Sequence, residues 1–195
     1  MKKIAVSTQN YYDKGGVVLK LLPNILTVIR LLLVPVFVCV YFFTNDNKIA
    51  AWIFLAAGLT DVLDGYIARK FHMESRFGAL ADPLADKLLH LSVTACLALS
   101  GVPFMWIVFV ILVIKESALI IGAAKLYKQK NIIIAALWYG KAASLIIFIV
   151  IWSIIYMGDA MKYQMKAALA LIAALTAILS GMGYTINYFK NVKTR

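Results

Sequence analysis

Residues 59–87, "LTDVLDGYIARKFHMESRFGALADPLADK", place four aspartates close together in a chain that is otherwise strongly apolar. Asp61 and Asp64 are three positions apart, and Asp82 and Asp86 are four positions apart. On α-helices, both spacings put the two carboxylates on one face, one turn apart. The two pairs fall on consecutive predicted helices joined by a short basic loop. We therefore expect the four carboxylates to converge.

The composition around this stretch is typical of a protein in lipid. Of the 195 residues, 63% are hydrophobic and 15% are charged, and the mean hydropathy is +0.86. A soluble domain keeps about 25% charged residues. The chain is therefore predicted to be an all-α integral membrane protein, with a single membrane domain over residues 1–195. The net charge of +11 is explained by topology and by attraction to anionic lipid, without a nucleic-acid partner.

Six apolar stretches are long enough to cross a bilayer as helices, which takes about 20 residues each. A cytoplasmic N-terminal lead at residues 1–21 precedes them. The predicted transmembrane helices lie near residues 22–43, 48–68, 79–100, 103–125, 132–157 and 165–189.

Lysine and arginine outside these stretches or at their ends are distributed unevenly. They concentrate in the N-terminal lead, in the connections after the second and fourth predicted helices, and in the C-terminal tail. The opposite side carries only Lys48, Lys162 and Lys166. The positive-inside rule then predicts a multi-pass protein of the cell membrane with both termini in the cytoplasm. An even number of transmembrane helices likewise places both termini on the same side of the membrane.

Charged residues inside the predicted helices are the informative ones. Each costs on the order of 3 kcal/mol in a membrane span, so a group of them needs a function or a shared wet cavity. All lie near the cytoplasmic ends of their helices, which predicts one polar pocket and an active site that faces the cytoplasm. They are Arg30, Asp61, Asp64, Asp82, Asp86, Lys87, Lys115, Glu116 and Lys141.

The four carboxylates predict a metal site. Facing one another, they would repel unless cations bind between them. Oxygen ligands without histidine or cysteine favour Mg²⁺, Mn²⁺ or Ca²⁺ over zinc. Four of them can hold two ions, the arrangement that stabilises both sides of a phosphoryl displacement.

The residues between the aspartates fit phosphate chemistry. Gly65 and Gly78 leave room for a ligand to approach the helix backbone. Arg69 lies one turn beyond Gly65 and could neutralise a diphosphate. An alternative for either glycine is that it only allows close helix packing, as small residues do in membranes.

The full spacing pattern resembles the signature of the CDP-alcohol phosphotransferases. It reads Asp61-x2-Asp64-Gly65-x2-Ala68-Arg69-x8-Gly78-x3-Asp82-x3-Asp86. The resemblance extends from "LPNILTVIRLLLVP" at residues 22–35 through the third predicted helix. It is most similar to the bacterial phosphatidylglycerophosphate synthases, whose first helix opens with a Pro-Asn-x2-Thr-x2-Arg run. Pro23, Asn24, Thr27 and Arg30 occupy those places.

This resemblance implies a fold of six transmembrane helices, a homodimer and two Mg²⁺ or Mn²⁺ ions. It implies transfer of a phosphatidyl group from CDP-diacylglycerol to glycerol 3-phosphate, with release of CMP. Asp61, Asp64 and Asp82 would be metal ligands, and Asp86 would complete the metal site and act as general base. The residues implied in CDP binding are Asn24, Thr27, Asp61, Gly65, Ala68, Arg69 and Gly78.

The acceptor half departs from the family pattern. The family's fourth helix has Arg-Glu with another Arg eight residues later, and its fifth has Gly-Lys-x-Lys-Thr. This chain has Lys115-Glu116, then Ala123, and "GKAAS" at residues 140–144. An acceptor phosphate needs a cluster of cations. The predicted cluster is Arg30, Arg76, Lys115 and Lys141.

Two alternatives stay open at this point. With fewer cations, the acceptor could be phosphatidylglycerol, which would make the enzyme a cardiolipin synthase of the same fold. A divalent-cation transporter would also place carboxylates in the membrane. However, it would leave Arg69 and the glycine spacing unexplained.

Overall fold

The structure is a computed structural model. It describes the backbone of residues 25–44, 46–71, 76–130 and 138–193, and the side chains of 25–44, 46–63, 84–119, 121 and 140–185. Within these ranges the regular structure is helical and no strand occurs, which confirms the all-α prediction for the described part of the chain. The helices are α1 (Ile25–Phe43), α2 (Asn47–Phe71), α3 (Arg76–Leu99), α4 (Met105–Lys130), α5 (Trp138–Met157) and α6 (Tyr163–Lys193). A 3₁₀ turn, Gly158–Ala160, follows α5.

Two helix ends are fixed by local chemistry. The Asp46 carboxylate accepts hydrogen bonds from the backbone N–H groups of Lys48 and Ile49, at 3.0 and 3.3 Å, and so caps the start of α2. At the end of α3, Gly101 adopts a left-handed φ of 77°. The Val102 N–H then bonds the carbonyl of Leu97, and the Gly101 N–H bonds that of Ala98. This is the Schellman geometry that ends helices at glycine.

The chain forms two compact units. The first consists of Met1–Phe37 and Ile53–Leu89. Within it, α1 and α2 are joined by Phe37 and Phe54, whose ring centroids are 6.3 Å apart and whose side chains are fully buried. Thr27 and Arg30 are also fully buried, an unusual position for a polar and a charged side chain.

The second unit consists of Val38–Trp52 and His90–Arg195. Here α6 packs along both α4 and α5. The buried side of α6 is a row of alanines, which lets the helices approach closely, as small residues do between membrane helices. These are Ala170, Ala173, Ala174 and Ala177.

Three helices in the described ranges are long and apolar enough to cross a membrane. They are Ile25–Phe43, Gly140–Ala160 and Tyr163–Thr185. Large apolar side chains such as Leu32 and Leu179 are exposed on them, as expected where the solvent is lipid. These features support the prediction of an integral membrane protein. The count of six spans and the single domain stay predictions.

Candidate active site

Two residues of the first-helix motif lie on one buried side of α1. Thr27 and Arg30 are one turn apart and both have no exposed surface. Asn24, predicted with Thr27 to bind CDP, falls outside the described residues. Thr27 and Arg30 therefore face the interior of the first unit.

Arg30 forms an ion pair with Asp61 of α2. Its Nη1 atom lies 2.7 Å from Asp61 Oδ1, and the two side chains are 0% and 41% exposed. A buried guanidinium is stable only when it is paired, because removing an isolated charge from water is very costly. Asp61, by contrast, keeps part of its surface open to a ligand. The contact joins the first-helix motif to the aspartate motif. The sequence did not predict it, since it assigned Arg30 to the acceptor phosphate.

The four aspartates all lie on continuous helical backbone, Asp61 and Asp64 on α2, Asp82 and Asp86 on α3. Each pair is thus one helical turn apart, as the spacing predicts. Asp86 is half-buried. No group of three or more potential metal ligands occurs among the residues whose side chains are described, a set that contains Asp61 and Asp86. The predicted site residues that lie outside that set are Asn24, Asp64, Gly65, Ala68, Arg69, Arg76, Gly78 and Asp82.

The two predicted acceptor cations of the second unit differ in their surroundings. Lys115 on α4 is half-buried; 8% of its side chain is exposed, and its Nζ lies 3.2 Å from Glu116 Oε1. Lys141 on α5 is exposed. Because Glu116 already neutralises part of its charge, Lys115 offers an acceptor phosphate less attraction than its formal charge suggests.

Two residues of α6 contact this region, although sequence reasoning assigned α6 no role. Gly181 faces the aliphatic part of Lys115, and the Tyr184 ring lies against Gly140, directly before Lys141. The only sequence signal is the run "GMGY" at residues 181–184, where two glycines and a tyrosine interrupt an otherwise apolar helix.

The second unit also contains a cavity of about 270 Å³. Tyr41, Asn47 and Ser100 contribute polar groups to its wall, together with Lys166, whose Nζ is 3.8 Å from Asp159 Oδ1. None of the predicted site residues lines it.

Comparison with known proteins places these features in one family. The family model for CDP-alcohol phosphatidyltransferase matches residues 20–180, which include both the first-helix motif and the four aspartates.

The individual relatives are named after enzymes that make two different products. Over 73 residues the chain is 44% identical to "CDP-diacylglycerol--glycerol-3-phosphate 3-phosphatidyltransferase" of Rickettsia typhi, covering 36% of this chain and 41% of that protein. Over 111 residues it is 41% identical to "Cardiolipin synthase (CMP-forming) / mitochondrial hydrolase fusion protein" of Schizosaccharomyces pombe, covering 57% and 18%. The chain thus spans less than half the length of each. It is 28% identical to "Probable phosphatidylglycerophosphate synthase" of Mycobacterium tuberculosis over 176 residues, covering 88% and 83%. Because the family model covers most of the chain, the protein belongs to the CDP-alcohol phosphatidyltransferase family.

Proposed function

We propose that the protein transfers the phosphatidyl group of CDP-diacylglycerol to glycerol 3-phosphate and releases CMP, as a step of phospholipid biosynthesis. The observation that carries the proposal is the ion pair between Arg30 and Asp61. It connects the two motifs of the family within one unit and places a cation against a carboxylate of the aspartate motif. No observation on the described residues favours the cation transporter.

The donor set fits two divalent ions, Mg²⁺ or Mn²⁺, held by Asp61, Asp64, Asp82 and Asp86. All four ligands are hard carboxylate oxygens. The Asp61 carboxylate is also paired with the Arg30 guanidinium at 2.7 Å, so a metal ion there would share this ligand with Arg30. When bound, the ions would supply neutralisation of the diphosphate and of the charge that develops on the leaving CMP.

The chain's own residues would bind CDP and move one proton. Asn24, Thr27 and Arg69 would hold the nucleotide, with Gly65, Ala68 and Gly78 leaving space for it. Asp86 would accept the proton of the acceptor hydroxyl. The hydroxyl oxygen forms a bond to the phosphorus of the phosphatidyl group, and the bond from that phosphorus to the oxygen shared with CMP breaks. CMP leaves with the electron pair.

Arg30, Arg76, Lys115 and Lys141 are the candidates to bind the phosphate of glycerol 3-phosphate. Lys141 is exposed and available, whereas Arg30 and Lys115 have acidic partners. A second acceptor, phosphatidylglycerol, is favoured by that reduced supply of free cations and by the relative named cardiolipin synthase.

The acceptor is tested with purified protein, CDP-diacylglycerol and Mg²⁺ or Mn²⁺. CMP release is compared with glycerol 3-phosphate and with phosphatidylglycerol at matched CDP-diacylglycerol. We expect turnover with glycerol 3-phosphate and a higher KM for it in Lys141→Ala. Lys162→Ala, an exposed lysine outside the predicted site, is the matched control and should leave that KM unchanged. Cardiolipin from phosphatidylglycerol, with no product from glycerol 3-phosphate, would overturn the assignment.

The membrane arrangement belongs to the same proposal. It comprises six transmembrane helices with both termini in the cytoplasm, an active site on the cytoplasmic side of the cell membrane, and a homodimer. The charge distribution supports the orientation, and the resemblance to the family supports the number of helices and the homodimer. Cysteine labelling in intact cells tests the orientation, in a variant whose native Cys39 and Cys96 are replaced by alanine. Ser100→Cys should react with an impermeant reagent from outside, and Lys193→Cys only after permeabilisation. The reverse pattern would refute it.

A further inference from the structure

The contact between Gly140 of α5 and Tyr184 of α6 leaves no room for a side chain at position 140. Gly140 is the third residue of α5 and is buried. A Cβ atom built there would lie 2.7 Å from Tyr184 Cζ and 2.8 Å from Cε2, and closer still to the hydroxyl oxygen. Real Cβ contacts are not that short. The tyrosine ring therefore rests directly on the α5 backbone, and the residue after that contact is Lys141.

The side of α6 that carries Tyr184 also contacts α4, next to Lys115, the second predicted acceptor cation. Gly181 and Tyr184 are three positions apart and so share a helix face. A Cβ atom at Gly181 would lie 3.7 Å from Lys115 Cγ, which is an ordinary van der Waals distance. One turn of α6 thus contacts the stem of Lys115 and the backbone before Lys141.

This turn is well placed to hold the two helices in register. It lies within a continuous helix, Tyr163–Lys193, whose neighbouring residues Ala177 and Ser180 are buried. The carbonyl of Gly140 accepts a hydrogen bond from Ser144 Oγ at 3.2 Å, and that of Gly181 from Thr185 Oγ1 at 2.7 Å. The stem of Lys115 and the backbone next to Lys141 therefore both contact the same turn of α6.

We propose that Tyr184 is a positioning residue for the acceptor. It holds the start of α5 so that Lys141, together with Lys115, reaches one acceptor phosphate. This inference rests on the proposed function. Tyr184 itself is not assigned a contact with substrate. A role in packing alone would change stability but not the KM for the acceptor.

The test compares the same substitution at the two glycines. Gly140→Ala would place a methyl group too close to the Tyr184 ring, so the ring or the start of α5 must move. Misplacement of a substrate-binding group on the order of 1 Å can cost about 100-fold in an enzyme. We expect the KM for glycerol 3-phosphate to rise by up to about that factor, with little change in kcat or in the KM for CDP-diacylglycerol. Gly181→Ala is the matched control, and its KM should stay close to that of the wild type because its contact distance is ordinary.

A double variant keeps the test decisive if Gly140→Ala is poorly stable. Tyr184→Leu alone should raise the acceptor KM, because it removes the positioning ring. Combined with Gly140→Ala it also removes the atoms that the new methyl group would strike, so the double variant should be less impaired than the two single effects added together. Tyr184→Phe retains the ring and should behave almost as the wild type. If the effects of the single variants on the acceptor KM do not add up to that of the double variant, Gly140 and Tyr184 are directly coupled. Additive effects, or a lower melting temperature with unchanged acceptor KM, would refute the positioning role.

Failure of the proposed acceptor is recognised separately. Turnover by the wild type with phosphatidylglycerol and not with glycerol 3-phosphate would overturn the choice of acceptor. The same variants, read on the KM for phosphatidylglycerol, would still support or refute the role of Tyr184.

Discussion

Arg30 shows what a single residue adds to the sequence argument. Its charge within an apolar helix predicts a functional role, but its partner could not be predicted. Asp61 is on another helix, and periodicity describes positions along one helix, not distances between two. In the structure, Arg30 is fully buried and holds Asp61 at 2.7 Å. Its direct partner is thus a predicted metal ligand, whereas its contact with the acceptor phosphate stays a prediction.

Replacing Arg30 should distinguish these two roles. If it orients Asp61, Arg30→Ala should lower kcat by about 10–100-fold, the usual loss for a residue that supports a metal ligand. The KM for glycerol 3-phosphate should not change. Arg30→Lys keeps the charge without the planar fork and should be intermediate. Steady-state kinetics with both substrates provides the measurement. A raised acceptor KM with normal kcat would show instead that Arg30 binds the acceptor.

Asp86 is the predicted base, and Asp86→Asn tests this with almost no change in shape. Without the carboxylate, the acceptor hydroxyl keeps its proton, so transfer should fall by about 10²–10⁴-fold. Binding of CDP-diacylglycerol should persist, which a titration that follows protection against thermal unfolding can detect. Near wild-type turnover in this variant would place the base elsewhere.

At the scale of helices, hydropathy indicates the apolar stretch of a helix but not the residue at which that helix ends. The second apolar stretch predicts a helix end near residue 68, but α2 continues to Phe71, through Arg69 and Lys70. Likewise α4 reaches Lys130, whereas its apolar stretch ends near residue 125. Charged residues are good helix formers, so a helix can leave the bilayer without ending. The extension of α2 keeps Arg69 on helical backbone, one turn beyond Gly65, as the hypothesis of a diphosphate contact expects.

The start of α2 is set by Asp46, which accepts two backbone hydrogen bonds. Asp46→Ala should therefore destabilise the protein by about 1 kcal/mol. Asp46→Asn retains a capping oxygen and should change stability by much less. Thermal unfolding in detergent, monitored by circular dichroism, compares the two variants. Equal melting temperatures for Asp46→Ala and the wild type would show that this cap contributes nothing to stability.

For the whole molecule, the sequence predicts the protein family better than it predicts which helices contact each other. Composition indicates a membrane protein, and the aspartate spacing indicates the family, which the match over residues 20–180 confirms. Contacts between distant helices, such as that of Tyr184 with Gly140, could not be predicted. A tyrosine in a terminal apolar helix is ordinary in a membrane protein, and its significance depends on which backbone it touches.

The proposed chemistry depends on four aspartates that hold divalent ions for phosphatidyl transfer. The most direct measurement is CMP release from CDP-diacylglycerol with glycerol 3-phosphate, before and after chelation with EDTA and readdition of Mg²⁺ or Mn²⁺. We expect activity to vanish on chelation, to return with the metal, and to stay absent in Asp61→Ala, Asp64→Ala and Asp82→Ala that remain folded. Full turnover in excess EDTA would contradict the claim.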